Sequence, residues 1–188
     1  MLILASESPR RRQLLEALGA EFTVCPAAVE ELEDGEDPET LPEKNALLKA
    51  QAVSGRFPED LVLGADTGVF NGAKMLGKPG SADEALAMLL SLSGRTHRVI
   101  SGVALVCRSR KICLSWSVES QVTFGAFTPD DARAYMQKVN VMDKAGAYAV
   151  QEYPELLGAS WKGELENIIG LPLEKLKKEL QNYHLLSL

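Results

Sequence analysis

Two long runs, residues 97–107 and 112–124, are separated only by the turn of residues 108–111. Both are rich in valine and other apolar residues with polar ones interspersed, which is the pattern of extended strands. A hairpin of that length commits the middle of the chain to a sheet. Ahead of it, short apolar runs alternate with helical patterns. Residues 2–5 read as a buried strand, and Ser8-Pro9 as an N-cap with proline at the first helical position. That helix carries Leu14, Leu15 and Leu18 and stops at Gly19. Residues 22–25 predict a second strand, and Thr40 with Glu43 a capping box for a helix to about Ser54. A strand follows over residues 61–66, then a tight hairpin at Asn71-Gly72. Ser81 and Glu84 predict another capping box, opening a helix to about Leu92. Thr128-Pro129 opens one more helix, and residues 172–183 form a final amphipathic helix. The expectation is a mixed α/β sheet flanked by helices, in a single domain without repeat or linker.

Charge and composition narrow the function. The formal net charge of -6 argues against a general nucleic-acid binder. No stretch approaches the ~20 apolar residues of a membrane span. The apolar N-terminus is too short for a signal peptide, so a cytoplasmic protein is expected. Cys25, Cys107 and Cys113 form no C-x-x-C, and His97 and His184 no metal-ligand pair. A net-acidic protein that binds a polyanion must concentrate its positive charge in one place.

The segment "VLGADTGVF" holds Asp66-Thr67-Gly68, the signature of an aspartic protease half-site. Such a protease needs two carboxylates sharing one proton, on an all-β fold. One D-T-G in a chain with about five helices does not fit. A strand end with Asp66 capping a turn is the plain structural alternative.

Other pieces make a different constellation with Asp66. "LASESPRR" places Ser8, Arg10 and Arg11 on the first turn of a helix. Helix N-termini attract anions, and arginine forks suit phosphate oxygens. Glu30 and Glu31 follow the second strand, Lys49 shares a helix face with Asn45, and Lys78 sits in "LGKP" between Gly77 and Pro79. Carboxylates for a hard cation and Arg/Lys groups for phosphates are the inventory for metal-assisted attack on a polyphosphate. No P-loop and no dinucleotide-binding glycine motif occurs.

In order, S-x-S-P-R-R, K-A, A-D-T, L-G-K-P, "LSGRTHRVISGVAL", "DKAGAYAVQ" and "IIGLPL" resemble the Maf family of nucleoside triphosphate pyrophosphatases over nearly the whole chain. The resemblance implies an elongated two-lobed α/β fold like that of the inosine triphosphate pyrophosphatases, with a central cleft. It implies hydrolysis of a nucleoside triphosphate to the monophosphate and pyrophosphate, with Mg²⁺ or Mn²⁺. Asp66 takes the place of the catalytic proton acceptor, and Glu31 with Asp66 that of the metal ligands. Ser8, Arg10, Arg11, Lys49, Lys78 and Lys144 match the phosphate-facing groups. Arg10, Thr67 and Gln151 stand where substrate choice is set and read as the dTTP/UTP type. A carboxamide at Gln151 can both donate to and accept from the edge of uracil or thymine. Modified pyrimidine nucleotides fall within the implied range. The resemblance also suggests a homodimer.

Three features depart from the family pattern: Asn45 for a leucine, Gly68 for a β-branched residue, and "GELEN" for G-S-Y-x-N. Gly68 is expected to loosen its strand. Two alternatives stay open. One is a 7-methyl-GTP pyrophosphatase of the sister branch. The other is a nucleotide-binding regulator of cell division with little turnover, docking through the acidic run of residues 30–39.

Overall fold

The structure, a computed structural model, describes residues 1–32, 37 and 39–186. Its strands are β1 (Leu2–Leu4), β2 (Phe22–Val24), β3 (Leu61–Asn71), β4 (Lys74–Leu76), β5 (Thr96–Cys107), β6 (Ile112–Thr123) and β7 (Ser160–Lys162). Its helices are α1 (Pro9–Ala17), α2 (Leu41–Ser54), α3 (Ala82–Leu92), α4 (Pro129–Lys138), α5 (Leu165–Ile169) and α6 (Leu173–Asn182). The hydrogen-bonded strand order is β2-β1-β3-β5-β6-β7, with β4 against β3. β1 pairs in parallel with β2 and β3, whereas β3–β4 and β6–β7 are antiparallel. The expected mixed sheet flanked by helices is therefore what forms. Residues 33–36 and 38 of the acidic run lie outside the described residues. Among those described, no helix is long and apolar enough to cross a membrane.

The chain divides into two compact units, one of Met1–Thr67, Ser101–Val118 and the segment from Gly170 onward, the other of Gly68–Ile100 and Glu119–Ile169. In the first unit the central strands β1, β3 and β5 are buried on both faces. Leu2, Leu4, Leu61, Leu63 and Leu105 pack with Leu15 of α1 and with Leu176 and Leu180 of α6. Ile3, Val62, Ala104 and Val106 pack with Ala46, Ala50 and Val53 of α2. That burial explains why these strands read as nearly continuous apolar runs.

Helix starts follow local chemistry, with two differences from expectation. Ser8 caps α1 by accepting from the Arg11 N–H, and Thr128 with Asp131 closes a full capping box on α4. Thr40, by contrast, makes no cap bond. Its hydroxyl donates to the Asp37 carbonyl at 2.9 Å, and Glu43 accepts from the Ser115 hydroxyl at 2.6 Å. At α3 Ser81 caps Glu84, but the Glu84 carboxylate reaches past it to the Gly80 N–H at 2.7 Å. β3 does not stop at Asp66. It runs on through Gly68, where a side chain would meet the Phe70 ring at 2.8 Å and the Met75 sulfur at 3.1 Å. Gly68 leaves room for those two groups and does not interrupt the strand.

The core of the second unit is built from α3, α4, the strand residues Val69, Val99 and Val122, and Phe124 just past β6. His97 is buried there, its Nε2 2.8 Å from the Tyr148 hydroxyl and its ring edge-on to Phe124. Burial lowers its pKa from 6.5 to about 4. Between those values the unfolded ring binds a proton that the folded ring does not, so the folded state loses ground as pH falls. The associated stability is whole above about 6.5 and disappears through about 4. The expected loss is about 3 kcal/mol. Urea unfolding at about pH 7.5 and about pH 4.5 measures it, and His97→Gln should show a shallower pH slope.

Candidate active site

Alternation along β3 sorts the site. Leu61, Leu63 and Ala65 face the α1 and α6 side, and Val62 faces α2. With a side-chain period of two, Gly64 and Asp66 share the α2 face. A Cβ at Gly64 would run into the Ala46 carbonyl oxygen and approach the Ala50 nitrogen to 2.9 Å. A Cβ at Gly102 of β5 would run into the carbonyl group of Pro42, at the start of α2. These two glycines let the helix backbone lie directly on the sheet. The close packing brings Asn45 and Lys49, one turn apart on α2, to Asp66.

The Lys49 ammonium lies 2.8 Å from Asp66 Oδ1 and 2.8 Å from Glu31 Oε1. Lys49 is 8% exposed, and a buried ammonium is tolerated only when its charge is met. Asn45 Nδ2 makes a long contact of 3.5 Å to Asp66 Oδ2. Asp66, Lys49 and Glu31 thus form one cluster.

Thr67 points the other way by the same alternation, into a second group. Its Oγ1 accepts from Arg11 Nη2 at 3.1 Å and lies 2.9 Å from the Ser101 hydroxyl. Arg11 also donates from Nε to the Gly170 carbonyl at 2.9 Å and from Nη1 to Ser6 Oγ at 3.1 Å. Burial pulls the Arg11 guanidinium below its ordinary value, and the nearby Asp66 charge opposes that shift. Gly170, with φ of +132°, occupies a backbone region that only glycine adopts readily. Arg11 therefore ties the first turn of α1 to β3 and to the G-L-P segment. Ser8 and Arg10 lie half-buried on either side of Pro9 at the α1 start.

In the second unit Lys78 and Gln151 are exposed, whereas Lys144 is buried. The Lys144 ammonium donates to the Asn140 carbonyl at 2.6 Å and to Asp143 at 2.9 Å, and lies 3.6 Å from Glu152. The Gly146 N–H donates to the Gly77 carbonyl at 3.0 Å, joining the L-G-K-P and K-A-G-A segments. In the "GELEN" segment Asn167 is buried and donates to the Val99 carbonyl at 3.2 Å and to Ser120 Oγ at 2.9 Å.

Ser6, Ser101, Asn45 and Gly170 were not among the expected site residues. Ser6 and Gly170 stand inside S-x-S-P and G-L-P, so position in a motif could have found them. Ser101 stands inside "LSGRTHRVISGVAL", so the same signal could have found it.

Among the described residues, no three His, Cys, Asp or Glu side chains gather to hold a metal ion. Glu31 and Asp66 nonetheless suit a magnesium-like ion, which takes one or two carboxylates and completes its shell with phosphate oxygens and water. Lys49 engages one oxygen of each, and Asp66 Oδ2 carries only the long 3.5 Å contact from Asn45, which a hard cation could replace.

The fold is shared with the Staphylococcus aureus Ham1 protein, at a TM-score of 0.54 and 14% identity over 97% of this chain and 98% of that one. That likeness concerns the fold alone. The family model for Maf-like proteins matches residues 1–183, and this chain belongs to the Maf family. It is 46% identical to the dTTP/UTP pyrophosphatase of Akkermansia muciniphila, covering 94% of this chain and 93% of that protein. It is 39% identical to the dTTP/UTP pyrophosphatase of Desulfotalea psychrophila, covering 100% of this chain and 96% of that protein.

Proposed function

We propose that this protein hydrolyses dTTP and UTP to the monophosphate and pyrophosphate. The observation that carries the reading is the Asp66–Lys49–Glu31 cluster, set in a chain whose near full-length relatives are dTTP/UTP pyrophosphatases. Asp66 accepts the proton of the attacking water. The water oxygen bonds to the α-phosphorus, the bond to the bridging oxygen breaks, and pyrophosphate leaves with that electron pair. Lys49 holds the Asp66 carboxylate in place and keeps positive charge beside the reacting phosphates. A divalent cation, Mg²⁺ or Mn²⁺, held by Glu31 and Asp66 would neutralise triphosphate charge. Of the other residues expected to face the phosphates, Ser8, Arg10 and Lys78 complete the phosphate-facing set. Lys78 is exposed and able to meet phosphate oxygens directly, while Arg11 and Lys144, held by internal acceptors, order the segments around them. Arg10, Thr67 and Gln151 set substrate choice. The exposed Gln151 carboxamide suits the O4 and N3–H edge of a pyrimidine.

Pyrophosphate release from dTTP, UTP, CTP, GTP and 7-methyl-GTP tests this. We expect dTTP and UTP to lead CTP by at least about tenfold, well within the roughly 10⁴–10⁵-fold that a site hydrogen-bonding its substrate can reach. Preference for 7-methyl-GTP would overturn the roles of Thr67 and Gln151 and leave that of Asp66. Nucleotide binding without turnover on any substrate would overturn the enzyme reading in favour of a regulator.

A further inference from the structure

Glu31 has no secondary structure to place it. Residues 25–32 form neither helix nor strand, and the Glu31 side chain is half exposed. An ion pair between a long, half-exposed glutamate and a lysine does not by itself order a backbone. The ordering comes from the next residue. The Leu32 N–H donates to Asn45 Oδ1 at 2.8 Å, and Asn45 Nδ2 donates to the Leu32 carbonyl at 3.1 Å. One carboxamide thus pairs with both backbone groups of one residue, as a neighbouring strand would. The Leu32 N–H belongs to the peptide plane that begins at Glu31, so holding it fixes the position of the Glu31 Cα from which the side chain leaves the chain.

Asn45 is 3% exposed and sits one helical turn before Lys49. Its second Nδ2 hydrogen faces Asp66 Oδ2 across the 3.5 Å contact. A carboxamide has two donors and an acceptor in fixed geometry, and here all three are directed at Leu32 and Asp66. Aspartate could not supply the donors, and leucine could supply nothing polar. We propose that Asn45 is a positioning residue that clamps Leu32 onto α2 and thereby holds Glu31 against Lys49 and Asp66. The structural part stands on this geometry alone, and the effect on turnover rests on the function proposed above.

The experiment uses the full chain as wild type, Asn45→Leu, Asn45→Ala, Glu31→Gln and the double variant Asn45→Leu/Glu31→Gln. Amide exchange at Leu32 reads the clamp directly. It should be protected in the wild type and exchange at least about tenfold faster in Asn45→Leu, with the amide of Ala5 in the core unchanged. Turnover of dTTP reads the coupling. Asn45→Leu should lower kcat roughly ten- to a hundredfold, as loss of an outer-shell partner does. In the Glu31→Gln background the same change should cost no more than about twofold further, since only the long 3.5 Å contact to Asp66 is left to lose. Multiplicative losses in the double variant, or unchanged exchange at Leu32, would overturn the proposal. Should Asn45→Leu fail to fold, Asn45→Ala carries both readings. A wild type with no activity on dTTP would sink the proposed function, and Leu32 exchange would still decide whether the clamp exists.

Discussion

Asp66→Asn should lower the turnover of dTTP by about a thousandfold, within the range that loss of a general base produces, and leave the protein folded. The substitution keeps the shape of the side chain and removes its charge and its proton affinity. Its fold should survive because Lys49 retains Glu31 at 2.8 Å and can still donate to the amide oxygen at position 66. The stability cost should be about 1–3 kcal/mol, the worth of a hydrogen bond to a charged group. Pyrophosphate release and urea unfolding of the same preparation separate the two effects. A folded Asn variant that kept a tenth of wild-type kcat would remove Asp66 from the chemistry. Glu31→Gln should be milder in kcat, since Glu31 accepts no proton in the proposed step.

The sheet and most helices were legible because they follow periodic or capping signals. Ser8-Pro9 and Thr128-Pro129 announce α1 and α4, and the runs on either side of Arg108 announce β5 and β6. The apolar run alone predicts a strand that ends at Asp66, whereas β3 continues to Asn71. Aspartate and glycine are poor strand residues, and pairing of β3 with β5 and of Val69 and Phe70 with β4 carries the strand through them. β7 and α5 were missed because each is too short for a period to show.

The site divides in the same manner. Asp66, Glu31 and Lys49 are named by the family resemblance, and the structure brings them together. That Thr67 faces away from Asp66 follows from strand alternation alone, once β3 is known to continue. The partners of Arg11 and Asn45 lie far away in sequence, at Gly170 and at Leu32. No local pattern records such pairs. They arise only when the helices settle on the sheet.

That settling depends on Gly64, and Gly64→Ala is expected to damage both folding and turnover. One methyl group at this position would overlap the Ala46 carbonyl oxygen and press on Ala50. Both are parts of the α2 backbone and cannot rotate aside as a side-chain tip could. The helix must therefore retreat from β3, giving up contacts of Ala46 and Ala50 in the core. Overpacking of this kind costs about 3 kcal/mol, the upper part of its usual range. The retreat also carries Asn45 and Lys49 away from Asp66. A shift of about 1 Å in a catalytic group can cost roughly a hundredfold in rate, so the folded fraction should itself be a poor enzyme. Gly77→Ala is the control, because a Cβ there meets nothing within 4 Å. It should keep wild-type stability to within about 0.5 kcal/mol. Urea unfolding gives the stabilities, and kcat measured far below the unfolding midpoint gives the activity of folded molecules. Wild-type kcat in a destabilised Gly64→Ala protein would mean that α2 can move off the sheet without carrying Lys49 from Asp66, and the link between that glycine and the site would fail.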